Sequence, residues 1–176
     1  GLFGSRPPPP DEGALDLLQR FIDTNLGVGY DSDEALHLEE LCRLWALTYP
    51  DEDLGDRKRP NSCWKKLGFQ GDDPVTDLRG MGMLSVRMLC HFASAHPADY
   101  RRLAARSVLD YDKGGYPFAC AGVNLCSILI DIMQLRRSED TARPANQVAA
   151  RCRDNMARFM GQNADAFAEG FCVSFV

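Results

Sequence analysis

Fifteen residues near the middle of this chain, Gly68 to Gly82, hold four glycines and a proline, a density of breakers that no helix or strand survives. Helical apolar spacing flanks the segment on both sides, so the chain is predicted to be helical with one long loop inside it. Loops of that length within a compact domain are either functional or disordered. Phe69, Val75 and Leu78 can pin this one to a core, which favours order.

On the N-terminal side, Leu15, Leu18, Ile22 and Leu26 recur at intervals of three and four, with Gly27 as a stop. Asp31 to Glu34 suit the first turn of a second helix carrying Leu38, Leu41, Trp45 and Leu47 up to Pro50. Asp51 to Pro60 reads as a charged loop. Asn61 is placed to cap a short helix with Cys63, Trp64 and Leu67, closed by Gly68. Beyond the loop, Leu84, Met88, Leu89 and Phe92 resume the helical spacing. Pro97 opens a helix with Tyr100, Leu103 and Val108. Asp112 to Gly115 reads as a turn. Phe118 to Leu135, apolar on nearly every face, is expected to be the central buried helix. Ala145 to Met160 is amphipathic, and Asn163 can cap a last short helix. Phe171 to Val176 alternates like a strand, a tail on an all-α single domain.

The 176 residues suffice for one domain, predicted over 11–176. Residues 1–10, a remnant with Pro7 to Pro10, form a stiff linker, and Gly1-Leu2-Phe3-Gly4 carries neither a Met nor a leader pattern. The net charge of −5 argues against a nucleic-acid partner. The longest near-apolar run, Pro117 to Ile130, contains Asn124 and is too short to span a bilayer. An odd count of seven cysteines without a C-x-x-C pair reads as reduced core residues of a cytoplasmic protein.

Loop chemistry draws attention to Arg79. Gly80 and Gly82 permit a sharp bend after it, Thr76 and Asp77 can fix the turn, and Asp77 is placed to orient the guanidinium. A braced, exposed arginine suits bidentate recognition of phosphate oxygens. On loop chemistry alone, an arginine that merely pairs with Asp77 or Asp73 to hold the loop is the favoured reading.

The stretch Trp64-Lys-Lys-Leu-Gly68-Phe69-Gln70-Gly71-Asp-Asp73-Pro74-Val-Thr76-Asp77-Leu-Arg79-Gly80-Met-Gly82-Met-Leu84 resembles the signature of ELMO-domain (engulfment and cell motility) proteins, W-x-x-x-G-F-Q-G-x-x-P-x-T-D-x-R-G-x-G-x-L. Every fixed position is met. Leu78 stands where the family often carries an aromatic. A second family-like patch runs from Tyr116 to Leu125, and the resemblance extends over about residues 11–170. It looks most like the ELMO domain-containing branch, which implies an all-helical activator of Arf-family and Arf-like small GTPases. Arg79 then maps onto the catalytic arginine finger. The resemblance implies no cofactor of the chain's own, since GTP and Mg²⁺ belong to the partner. It also implies recruitment to membranes through that partner.

With that reading Asp77 orients Arg79, while Gln70 contacts the GTPase, positions water or bonds neighbouring backbone. Trp64 and Phe69 anchor the loop, and Asn124, in the presumed buried helix, bonds loop backbone. Met81 and Met83 are candidates for partner contact, Met88 for the core. Arg102 and Arg106 share a helical face that could meet an acidic partner or lipid head groups. His91 and His96, about 500° of helical rotation apart, are expected not to share a face. No metal-ligand spacing and no phosphate-binding loop of the G-x-x-x-x-G-K-[ST] type is present, so the chain is not read as an enzyme with its own substrate. A non-catalytic ELMO-type module binding a GTPase or scaffold is the alternative.

Overall fold

A computed structural model describes residues 7–55, 60–107, 115–136 and 146–176. Eight α-helices are present among them: α1 (Glu12–Asn25), α2 (Ala35–Thr48), α3 (Cys63–Leu67), α4 (Gly82–Ala95), α5 (Pro97–Ala104), α6 (Phe118–Ile132), α7 (Gln147–Gln162) and α8 (Ala166–Phe175). No strand occurs among the described residues, only an isolated bridge between Ser107 and Tyr116. The all-α single domain is as expected.

Local chemistry sets the helix ends. Asp11 Oδ1 accepts from the Ala14 N–H at 2.7 Å and Asn146 Oδ1 from the Ala149 N–H at 2.9 Å, each occupying an amide that the first turn leaves open. Pro97 occupies the first turn of α5, where its missing N–H costs nothing. Asp31 to Glu34 do not enter the first turn of α2. They form the preceding turn, in which Asp31 Oδ1 accepts from the Asp33 N–H.

The hub is α4, which buries ten of its fourteen residues and packs against α2, α5, α6 and α8. α6 is less enclosed than its composition suggests. It ends at Ile132, three residues short of the expected Leu135, because the chain turns through Gln134 at φ 54° and returns Leu135 to the core. Its outer side exposes Ile128 (52%) and Ile132 (65%). α1 packs on α7 through Ala14, Leu18 and Ile22, whereas Leu15 faces outward.

Phe171 to Val176 is not a strand-like tail. Phe171 to Phe175 belong to α8, with Phe171 and Cys172 both buried and Val173 75% exposed, a pattern no alternating strand produces. The aromatic core explains the choice. Phe92 meets Tyr100 and Phe171 edge-on, and Phe175 lies 5.0 Å from Phe118 between ring centroids. Each such ring withdraws roughly 150–250 Å² from water, which outweighs the local β preference of Phe and Val. Cys90, Cys120, Cys126 and Cys172 are buried thiols. The expected turn at 112–114, Val108 and the start of the predicted helix at Ala145 lie outside the described residues.

Candidate functional site

The loop is built from both ends inward. α3 stops at Gly68 with φ 93°, and a Cβ there would come within 2.4 Å of the Phe118 N and 2.6 Å of the Ser107 Oγ. Only glycine lets the loop start so close to the first residue of α6. Phe69 follows, wholly buried and edge-on to Trp64, which in turn is edge-on to Trp45. Trp64 and Phe69 thus tie the start of the loop to the core.

Beyond Phe69 the backbone is held by short-range bonds. Asp72 O accepts from the Asn61 N–H at 2.8 Å, and Asp73 Oδ1 from the Val75 N–H at 3.0 Å. Thr76 Oγ1 donates to Asp73 O, and Pro74, itself buried, accepts from the Leu78 N–H at 3.0 Å. One turn of 3₁₀-helix, Asp77–Arg79, therefore survives among the breakers, with Leu78 inserted into the core at 1% exposure. Leu78 fills the position in place of an aromatic and still plugs the core.

At the far end Gly82 has φ 51°, and a Cβ would stand 2.1 Å from Val28 O. The Met83 N–H donates to that same carbonyl at 3.0 Å, so the loop ends locked onto the connection between α1 and α2. Gly82 bends the chain as the sequence predicts. Gly80 does not, since its φ of −75° and ψ of −43° are open to any residue. Gly71 likewise lies outside the left-handed region, and a Cβ there would make only ordinary contacts.

Asp77 does not orient Arg79. Its Oδ2 accepts from the Gln70 N–H at 2.9 Å and lies beside the Cys120 thiol, which burial and then this carboxylate push up to about 11. Residues two apart in a 3₁₀ turn diverge by about 120°, so Asp77 faces inward and Arg79 outward. The Arg79 side chain is exposed and makes no hydrogen bond or ion pair among the described residues. It is not a loop brace. Gln70 contributes its amide to the loop while its side chain is exposed. Asn124 is exposed on the outer side of α6, so it is not the buried support for the loop that its apolar neighbours suggested. Met81 and Met83 are both buried, and Met83 at 1% exposure is core rather than contact surface.

Arg79 lies on a surface depression of about 330 Å³. Its walls are Leu26 to Gly29 after α1, Arg79 to Gly82, and Ile130 and Arg136 at the end of α6. Sequence reasoning singled out neither Arg136 nor Val28-Gly29, and used Gly27 only as a helix stop. A glycine pair straight after a predicted helix was the available signal. Arg136 donates from Nε and Nη2 to the Asp131 carboxylate and from Nη2 to Ser127 Oγ at 2.8 Å. That pairing holds the Asp131 carboxyl below its usual range. Arg87 donates to Thr24 O at 3.0 Å and Asn25 Oδ1 at 2.8 Å, covering the carbonyl end of α1.

His91 and His96 meet after all, on one carboxylate. His91 Nε2 lies 2.8 Å from Glu169 Oε1 and His96 Nε2 2.9 Å from Oε2, because α4 ends at Ala95 and His96 leaves the helical path. Among the described residues no three His, Cys, Asp or Glu side chains are placed so that they could hold a metal ion, and no described helix is long and apolar enough to cross a membrane.

The sequence model of the ELMO/CED-12 family matches residues 20–176. ELMO domain-containing protein 2 of Homo sapiens is 37% identical over 105 residues, 60% of this chain and 34% of that protein. ELMO domain-containing protein C of Dictyostelium discoideum is 38% identical over 112 residues, covering 64% and 16%. ELMO domain-containing protein 1 of Mus musculus is 34% identical over 119 residues, covering 59% and 36%. The chain thus spans about a third or less of the length of these relatives. No solved structure is a significant match. With the family model running from within α1 to the last residue, across the whole braced loop, this chain belongs to the ELMO/CED-12 family.

Proposed function

We propose that this domain activates GTP hydrolysis by an Arf-family or Arf-like small GTPase, with Arg79 supplied in trans as an arginine finger. The observation that carries the reading is that the loop folds without Arg79. Phe69 and Leu78 fill the core, Asp77 and Asp73 hold the turns, and the guanidinium is left exposed with no internal partner. A planar, permanently charged group fixed on a rigid loop is suited to charge that develops on a transferring phosphoryl group. Such a residue is worth about 10³ to 10⁵ in rate, or roughly 4–7 kcal/mol of barrier. GTP and Mg²⁺ are held by the partner, and the domain needs no cofactor of its own. Gln70, with its side chain exposed on the same loop, is a second contact with the partner or its attacking water. The domain works in the cytoplasm and reaches membranes through the GTPase.

Single-turnover hydrolysis by a panel of Arf and Arf-like GTPases, with this protein and its Arg79→Lys variant, tests the proposal. Lysine keeps the charge but loses the planar fork. The expected result is a large acceleration by the parent chain, reduced at least 100-fold in the variant while binding persists. A folded protein that binds a GTPase without accelerating it would identify a non-catalytic interaction module.

A further inference from the structure

We propose that Arg136 acts with Arg79 as a second phosphate-contacting guanidinium, and that the depression they share receives the polyphosphate of a nucleotide held by the partner GTPase. The inference rests on the reading of Arg79 above and adds a residue and a place to it.

Charge is the first argument. The chain carries 25 acidic against 20 basic side chains, yet the depression is lined by two arginines and no carboxylate. The carbonyl end of α1, which would repel an anion at one wall, is covered by Arg87.

Presentation is the second. Asp131 and Ser127 hold the Nε and Nη2 sides of the Arg136 fork, while Nη1 makes no bond among the described residues. A guanidinium fixed on one edge loses less freedom when its other edge takes up an anion.

The third is access. A Cβ at Gly29 or Gly80 would meet nothing within 4 Å, and neither glycine has left-handed angles. The chain's own fold makes no demand for glycine at these positions, and a bare backbone leaves room for close approach by a bulky phosphate-bearing surface. Together with Arg79 these features describe a site in which Arg136 sets affinity and register, and Arg79 sets the rate.

The test titrates the intact chain into single-turnover reactions of an activated GTPase and compares Arg136→Ala, Asp131→Asn and Arg79→Lys. Arg136→Ala is expected to raise the half-saturating concentration about tenfold, with the saturating rate within about threefold of the parent. Arg79→Lys shows the opposite split. Asp131→Asn keeps a side-chain oxygen that can accept from Arg136 and hold its fork, while it strips a competing negative charge, and is expected to leave the half-saturating concentration unchanged or lower it. A merely structural pair predicts the same sign for both substitutions, so equal impairment by Arg136→Ala and Asp131→Asn would overturn the proposal. An unchanged half-saturating concentration in Arg136→Ala would overturn it too.

A second arm titrates sodium tripolyphosphate into the isolated ¹⁵N-labelled chain and follows the arginine Nε–H resonances by NMR. Saturable shifts at Arg79 and Arg136, weakened by Arg136→Ala, are expected in the millimolar range. If no GTPase on the panel is accelerated, the finger reading fails and this arm decides the depression alone. Saturation that depends on both arginines upholds a two-arginine phosphate site, whereas none overturns it.

Discussion

Two glycines two residues apart carry opposite kinds of constraint. At Gly82 any side chain must displace backbone, since φ is 51° and the Val28 carbonyl stands 2.1 Å from the Cβ position. Gly82→Ala is expected to destabilise the fold by about 3 kcal/mol or more, read as a fall in the urea midpoint. Gly80→Ala is expected to be neutral to mildly stabilising, because φ −75° is open to alanine and the space is empty. If its bare backbone faces the GTPase, Gly80→Ala lowers the acceleration of hydrolysis while the melting temperature holds. The motif alone hides this difference, for both positions read as flexible glycine. The sequence likewise pointed to Arg79 and to Trp64 and Phe69 as anchors, through residue type and spacing. It misdirected Asp77, because which way a side chain points in a 3₁₀ turn depends on a turn that the breaker count had excluded.

Between elements, α8 is joined to α4 and α5 by one carboxylate shared between two imidazoles. The bonds from His91 and then His96 hold the Glu169 carboxyl below its ordinary value of 4.5. A carboxyl depressed in the folded state contributes stability above its unfolded value, and that contribution fades as pH falls through the folded value. Glu169→Gln is therefore expected to lower the melting temperature at pH 7 and to lose that deficit progressively in acid, below about pH 4.5. Differential scanning calorimetry at a series of pH values reads the convergence. An unchanged difference across the series would assign the effect to packing. The helices themselves were legible, because 3.6-residue periodicity and capping residues are local signals. The shared carboxylate was not. It brings together residues 73 and 78 positions apart, and periodicity carries no such information. The same limit explains α8, whose aromatic residues satisfy either period until the Phe92 cluster selects the helix.

For the whole molecule, one apolar core extends from α1 to α8 and takes in the loop anchors. Cys90, Cys126 and Cys172 lie within it and Cys120 is buried beside Asp77; burial pushes Cys90 and Cys126 far up and Cys172 to about 12. Thiolates, not thiols, react with disulfide reagents. Ellman's reagent is therefore expected to titrate Cys90, Cys120, Cys126 and Cys172 only once denaturant opens the core, with the reaction tracking the unfolding transition. Rapid modification of any of the four in native buffer would show that part of the core opens locally. The odd count and the missing C-x-x-C pair had placed cysteines in the interior without ranking them. Which of them are deepest was set by how α4, α6 and α8 meet.

The hook between Met83 N–H and Val28 O has a thermodynamic corollary. It couples the two walls of the depression, so the surface proposed to meet the GTPase is formed during folding and not on encounter. Association at this face should therefore show a heat-capacity change accounted for by the apolar area it buries, without the larger signature of a segment ordering as it binds. Cutting the hook with Gly82→Ala would add that signature to the calorimetric trace, and the rigidity of the loop would then be visible as heat.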